Sequence, residues 1–396
     1  MRRPFVIGFS SAALAISGWL AVSLGEALRA PGTDTVPQRL VEWARDHELG
    51  PVIDAAERSF YAATEPEEGG VPTTGDQLTA LVADPATTGA VAPEEQPPAD
   101  LPSPVTPALD GEGRWTPFGP LVDGRHMAWT TSIRPDTKHT AALVRIVWME
   151  REAFRFEQHP GDKLEKPWAR PNFVAPEEQS TLVAAFSDGF RLSGSKGGFY
   201  LLGKEKRKLR AEAASLVVDL HGRPGVGLVP RDYALADLES VRQNLDLIVD
   251  DGAVDPRLVK EPNAQWGYTG PDNKTATWRS GAGVRVDGSF LYVAGPALSI
   301  TTLAETLVRA GAVRGMQLEI NREWITFSSY AADASGKIKA RKLDARMVHP
   351  ADRYLTEDTR DFMAVLRRPE APPPEAAAPG PPGATGPAAP KRAPTP

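Results

Sequence analysis

The sequence contains no cysteine, which excludes disulfides, thiolate metal sites and thiol nucleophiles, and means that export would need no oxidative folding. Basic charge is not in excess either. The 45 Lys and Arg against 51 Asp and Glu give a formal net charge of -6, the opposite of the concentrated positive surface that phosphate backbones require, so no nucleic acid is expected as a partner. The one basic cluster, Lys204 to Arg210, has the character of a solvated turn and strand edge. His47, His126, His139, His159, His221 and His349 are scattered, with no i, i+4 pair and no acidic companion at ligand spacing, so the sequence calls for no metal and no cofactor. Phosphate-binding glycine loops are missing too: Ser193 to Gly198 runs into the strand-like Phe199 to Leu202, and Gly222 to Gly227 contains Pro224 with no helix directly after it.

Long hydrophobic runs are scarce, and the one present stands at the N-terminus. Arg2 and Arg3 precede an apolar run from Pro4 to Gly25, of roughly 20 residues and so long enough to cross a bilayer core as a helix. Bulky Leu28 makes Leu28-Arg29-Ala30 a poor cleavage site. Residues 1–30 are therefore expected to be an uncleaved single-pass membrane anchor, and the two arginines place the C-terminal domain outside the cytoplasm.

Proline and glycine are plentiful but unevenly spread. Over residues 33–62, Leu40, Val41, Trp43, Ala44, Leu49, Val52, Ile53, Ala56 and Tyr61 recur at helical spacing around Gly50-Pro51, predicting two short juxtamembrane helices. Residues 63–110 form a Pro-, Thr- and acid-rich linker and residues 369–396 a Pro-, Ala- and Gly-rich tail expected to be disordered, neither with the apolar content for a core. The domain is left to residues 111–368. Alternating apolar positions over Arg125–Arg134 and Thr140–Met149 predict a hairpin, and strands are expected at Thr181–Phe186, Gly198–Leu202, Ala214–Leu220, Leu245–Asp250, Gly283–Val286, Phe290–Ala294, Gly315–Ile320 and Trp324–Tyr330. Helices are predicted at Leu235–Arg242 and Thr302–Ala312. The fold class expected is α+β: a mixed, strand-rich layered domain with few helices, following an N-terminal transmembrane helix.

The most informative stretch is Trp278 to Val293 with the segments Ala304–Gly311 and Met316–Asn321, a strand, turn, strand, helix and strand in succession. It sets Arg279 at the start of one strand and Glu319 at the end of another. Ser187-Asp188-Gly189-Phe190, Asn244 to Gly252, Arg279-Ser280-Gly281-Ala282-Gly283 and Gln317 to Glu323 together resemble the ordered motifs of the phosphodiester glycosidase family over roughly Thr181 to Tyr330. Ile320 and Asn321 stand where that family uses glycine. The resemblance implies the family's fold and a sugar phosphodiester as ligand.

By residue type, Arg279 suits a phosphate because its planar fork binds oxygens in pairs. Glu319 and Asp188 suit the acid and base work of glycosidic hydrolysis, and Asn321 and Ser187 suit sugar hydroxyls. Two functions fit: an exported, membrane-tethered hydrolase of glycosyl phosphodiesters in envelope or extracellular glycans, or a non-catalytic envelope glycan-binding or interaction module on the same scaffold. The discriminating property is whether Arg279, Asp188 and Glu319 converge on a pocket or on a filled rim. Asn273-Lys274-Thr275 also reads as a glycosylation sequon in a loop.

Overall fold

The structure, a computed structural model, describes residues 4–72, 97–161, 167–260, 265–268, 273–333 and 335–368, with side chains described from Ser17 onward. The tail and residues 73–96 of the expected linker lie outside the described residues. Among the described residues there are six α-helices, α1 (Pro4–Arg29), α2 (Val36–Asp46), α3 (Gly50–Ala63), α4 (Leu192–Ser195), α5 (Arg257–Lys260) and α6 (Ile300–Arg309). Strands dominate.

An eight-stranded sheet has the spatial order β1 (Thr116–Pro117), β4 (Ala128–Ile133), β5 (Val144–Met149), β16 (Phe290–Leu298), β15 (Thr277–Arg285), β17 (Ala312–Ile320), β13 (Leu247–Asp250) and β14 (Ala253–Val254). A five-stranded sheet runs β11 (Pro224–Leu228), β10 (Ala214–Asp219), β12 (Leu238–Gln243), β8 (Phe199–Leu201) and β9 (Lys204–Arg207). A second runs β19 (Ile338–Lys342), β18 (Phe327–Ala332), β7 (Leu182–Ser187), β20 (Phe362–Arg367) and β6 (Phe154–His159). The small pair β2 (Leu121–Val122) and β3 (Arg125–His126) completes the set. The described pairings between these strands are antiparallel, which suits the short turns between many of them.

Alternation along the large sheet explains the layers. In β5, Val147 and Met149 face a core shared with Phe156, Val183, Phe186, Leu216, Phe327 and Val365 of the two smaller sheets. Val144 and Ile146 point the other way, into a second core with Leu303 and Leu307 of α6. Both faces are thus buried, with period 2 preserved on each. Helix α6 is capped by Ser299, whose hydroxyl accepts from the Thr302 amide at 3.0 Å. It lies against β15 because that strand is nearly smooth there: a Cβ on Gly281 would sit 2.8 Å from the Met316 carbonyl oxygen and 3.2 Å from Leu303. The glycines of the Arg279 motif therefore have a packing role, close approach of helix to sheet.

The predicted hairpin is present, with Ala128 opposite Met149 and Ile133 opposite Val144. Two helices flank Gly50-Pro51 as expected, with Pro51 in the first turn of α3. The helix predicted over Leu235–Arg242 is not formed: only Leu235–Asp237 make a 3-10 turn, and Leu238–Gln243 are β12. That segment lies between β10 and β8, so both edges of its backbone are paired, while Leu238 and Val241 fill a small core with Val217 and Val229. Tertiary pairing overrides the local helical spacing. The basic cluster does form an edge strand, β9. Asn273 of the sequon is buried and donates from Nδ2 to the Leu258 carbonyl at 2.8 Å. No helix among the described residues is long and apolar enough to cross a membrane.

Candidate functional site

Antiparallel pairing brings several strand ends to one end of the domain. Arg279, near the start of β15, pairs with Ile320 at the end of β17, and Ser187 at the end of β7 pairs with Phe362 at the start of β20. Asp188, Glu319, Arg360 and Asp361 follow from those positions, and Arg242 joins them from the end of β12. All five are buried.

Their contacts form one network. Arg360 Nη2 lies 2.9 Å from Glu319 Oε1 and donates to the Gly189 carbonyl at 3.4 Å. Arg242 pairs with Asp361, and its Nε is 3.8 Å from Asp188 Oδ1. Gln158 donates its amide to Asp188. Burial pushes the Glu319 carboxyl up to about 8, outweighing the Arg360 guanidinium beside it. Burial, together with the neighbouring Asp361 charge, holds the Asp188 carboxyl well above the usual carboxylate range despite Arg242. Glu319 keeps its proton at neutral pH, because desolvation penalises the charged form more than one arginine restores. Perturbed carboxyl groups of this kind are the environment in which acid and base chemistry is found.

Arg279 is brought to the same end of the sheet but not into this network. Its Nε donates to the Leu298 carbonyl at 2.9 Å, Nη1 to Gln317 Oε1 at 2.7 Å, and Nη2 to the Tyr268 and Thr275 carbonyls at 2.9 and 3.4 Å. Burial lowers its pKa to about 10. The register of β15 against β17 shifts between Arg279 and Gly281, and across that irregularity Gln317 serves Arg279 while Glu319 serves Arg360. With all three guanidinium nitrogens used on the protein itself, Arg279 ties the loop before β15 to the sheet. Arg279→Lys is expected to lower the unfolding free energy by roughly 1–3 kcal/mol, since a point-like ammonium leaves buried carbonyls without donors. Urea unfolding checks this; an unchanged midpoint with lost turnover would return the phosphate-holding role to Arg279.

Ser187 is buried, and its hydroxyl accepts from the Thr326 amide at 3.3 Å. Asn321 takes φ +78°, so the turn after β17 keeps the left-handed conformation with asparagine in place of glycine. Its side chain accepts from the Glu323 amide at 3.1 Å and hydrogen-bonds Tyr61 of α3. Half-buried Trp324 carries Arg360 over its ring at 5.0 Å.

The sequence reading missed Arg242, Arg360 and Asp361. Arg242 was assigned to a helix. Asp358-Thr359-Arg360-Asp361 did leave a signal: a charged run directly before the wholly apolar Phe362 to Leu366 puts charges at the mouth of a buried strand. The rim is also filled. Residues before the domain contribute Gln38, Glu42 and Tyr61, all buried, to the end of the sheet where these groups gather.

No family model matches the sequence, and no curated protein matches it. Among solved structures, the chain is similar to the catalytic domain of zebrafish N-acetylglucosamine-1-phosphodiester alpha-N-acetylglucosaminidase, auto-inhibited by its pro-peptide, at 10% identity and a TM-score of 0.39, over 63% of this chain and 91% of that one. It is also similar to a hypothetical protein from Synechocystis at 9% identity and a TM-score of 0.37, over 64% of each chain. These are distant relationships of fold.

Proposed function

We propose that the protein is a hydrolase of glycosyl phosphodiesters in envelope or extracellular glycans, with Glu319 and Asp188 as its acid and base. The observation that supports this reading is the carboxyl pair itself: two buried acids with raised pKa, set beside Arg360 and Arg242 at the strand ends that carry the motif resemblance. In the reaction, water adds to the sugar C1, the bond from C1 to the phosphate oxygen breaks, and free sugar and a phosphate monoester result. Glu319 supplies the proton to the departing oxygen. Asp188, next to the Arg242 cation, takes the proton from water once the site is open to solvent. Asn321 and Ser187 stand at the edges of this site as its candidate sugar contacts. The test is release of free sugar from an aryl phosphodiester of N-acetylglucosamine.

A second reading, the non-catalytic glycan-binding or interaction module, is favoured by one observation, the filling of the rim by Gln38, Glu42 and Tyr61. Binding of the glycan without turnover selects it.

The location follows from Arg2, Arg3 and the apolar run that begins α1: a single-pass tether in the cell membrane with the domain outside. Protease added to intact cells is expected to remove the domain. Protection until the membrane is breached would reverse the orientation.

A further inference from the structure

Helix α2 meets the domain in an unusual way for an amphipathic helix. Its N-cap is well made, with Thr35 and Gln38 forming a reciprocal capping box. The residues it buries are Gln38, Glu42 and Ala44, whereas Val36 and Leu40 are exposed. Gln38, Glu42 and Asp46, spaced by four, form the stripe that faces the domain. Gln38 Nε2 donates to the Glu323 carbonyl at 2.8 Å. Asp46 pairs with Arg191. Glu42 spans two cations: Oε2 lies 2.9 Å from Arg191 Nε, and Oε1 lies 3.4 Å from Arg360 Nη1.

We propose that Arg191 and Arg360 form the anion-binding subsite for the phosphate of a sugar phosphate or phosphodiester, and that Glu42 occupies it as a built-in stand-in which α2 must withdraw before ligand enters. This rests on the hydrolase or glycan-binding reading of the site. Three features carry it. A carboxylate bridging two arginines is the arrangement in which a phosphate oxygen pair is held, and Arg supplies the planar donor fork for it. Trp324, under Arg360, offers a half-buried aromatic face beside the anion position, the surface on which a sugar ring packs. And α2 meets Arg191 and Arg360 through the carboxylates of Glu42 and Asp46, so its withdrawal from them exchanges ion pairs for water.

The arrangement is asymmetric in a useful way. Arg360 retains Glu319 when Glu42 leaves, and because burial keeps Glu319 protonated at neutral pH, the Arg360 charge is then available to an incoming anion. Arg191 loses both of its carboxylate partners, Glu42 and Asp46, together with α2.

The experiment uses the full-length protein and N-acetylglucosamine 1-phosphate as probe, with neutral N-acetylglucosamine as control. Glu42→Gln, which keeps shape and removes charge, is expected to bind the sugar phosphate at least tenfold more tightly than wild type by titration calorimetry, with no comparable gain for the neutral sugar. Arg191→Gln added to Glu42→Gln is expected to abolish that gain with an unchanged melting temperature. In the wild type, saturating sugar phosphate is expected to speed amide hydrogen exchange over residues 36–46. Equal affinity of wild type and Glu42→Gln, an equal gain for the neutral sugar, or slower exchange in α2 on ligand addition would each overturn the proposal. Tight binding by Glu42→Gln without hydrolysis of any phosphodiester keeps the subsite and overturns the hydrolase.

Discussion

Replacing Arg353 with methionine is expected to lower the unfolding free energy by about 3–5 kcal/mol, the range for breaking a buried ion pair from one side. Arg353 is buried and pairs with Asp358 at 2.6 and 2.9 Å and with Asp34 at 3.0 Å. Asp34 belongs to the segment just before α2, and its other oxygen accepts from the Thr359 hydroxyl at 3.0 Å. Burial pushes the Asp34 carboxyl up, yet Arg353, His349 and Thr359 together hold it below the usual range, so it is ionised where it sits. Methionine fills the space and leaves two buried carboxylates without their cation. Equilibrium urea unfolding at neutral pH measures the loss, and adding Asp34→Asn should restore part of it because the two sites are coupled. A loss below about 1 kcal/mol would mean that the carboxylates are solvated and that the N-terminal segment is not docked as described.

The second large effect is on chemistry. Glu319→Gln is expected to reduce turnover by about 10²- to 10⁴-fold, the usual contribution of a positioned general acid. It should do so without a loss of stability at neutral pH, because the protonated carboxyl and the amide are both neutral and of the same shape. The pH dependence gives the sign. The folded protein holds the Glu319 proton up to about pH 8, whereas the unfolded chain releases it near the ordinary glutamate value of 4.5. Between those values the unfolded state binds fewer protons, so wild-type stability falls as pH rises, by roughly 3 kcal/mol at pH 7 from this group alone. Glu319→Gln lacks that slope, and its stability relative to wild type should rise from pH 4.5 to pH 8. A parallel pH dependence of the two proteins would show that Glu319 is ionised in the folded state.

Much of the strand layout was legible because a buried strand writes its period of two into the sequence. Val144, Ile146 and Trp148 declared β5, and the Asp287-Gly288 turn between apolar runs declared the β15–β16 hairpin. The helix expected over Leu235–Arg242 is strand β12 from Leu238 onward, and only its two neighbouring strands decide that. The site divides in the same way. Glu319 and Asp188 were recognisable from motif position, and the structure brings both into one charged network. Their partners Arg242, Arg360 and Asp361 lie 54 to 173 residues from Asp188 in the sequence, too far apart for a local pattern to join them; only Arg360 and Asp361 had a local cue, in the charged run before β20. The inward face of α2 was hidden for a different reason. Leu40, Val41 and Trp43 draw the eye to an apolar stripe, while the side that docks is the polar one, Gln38 and Glu42.

The central claim is that this carboxyl cluster hydrolyses a glycosyl phosphodiester when α2 is released from it. The most direct measurement is release of N-acetylglucosamine from its aryl phosphodiester by full-length Glu42→Gln protein, compared with the same protein carrying Glu319→Gln as well. The account predicts turnover by Glu42→Gln that exceeds wild type and falls by about 10²- to 10⁴-fold when Glu319 is also replaced. No turnover by Glu42→Gln, or turnover that Glu319→Gln leaves unchanged, would contradict it.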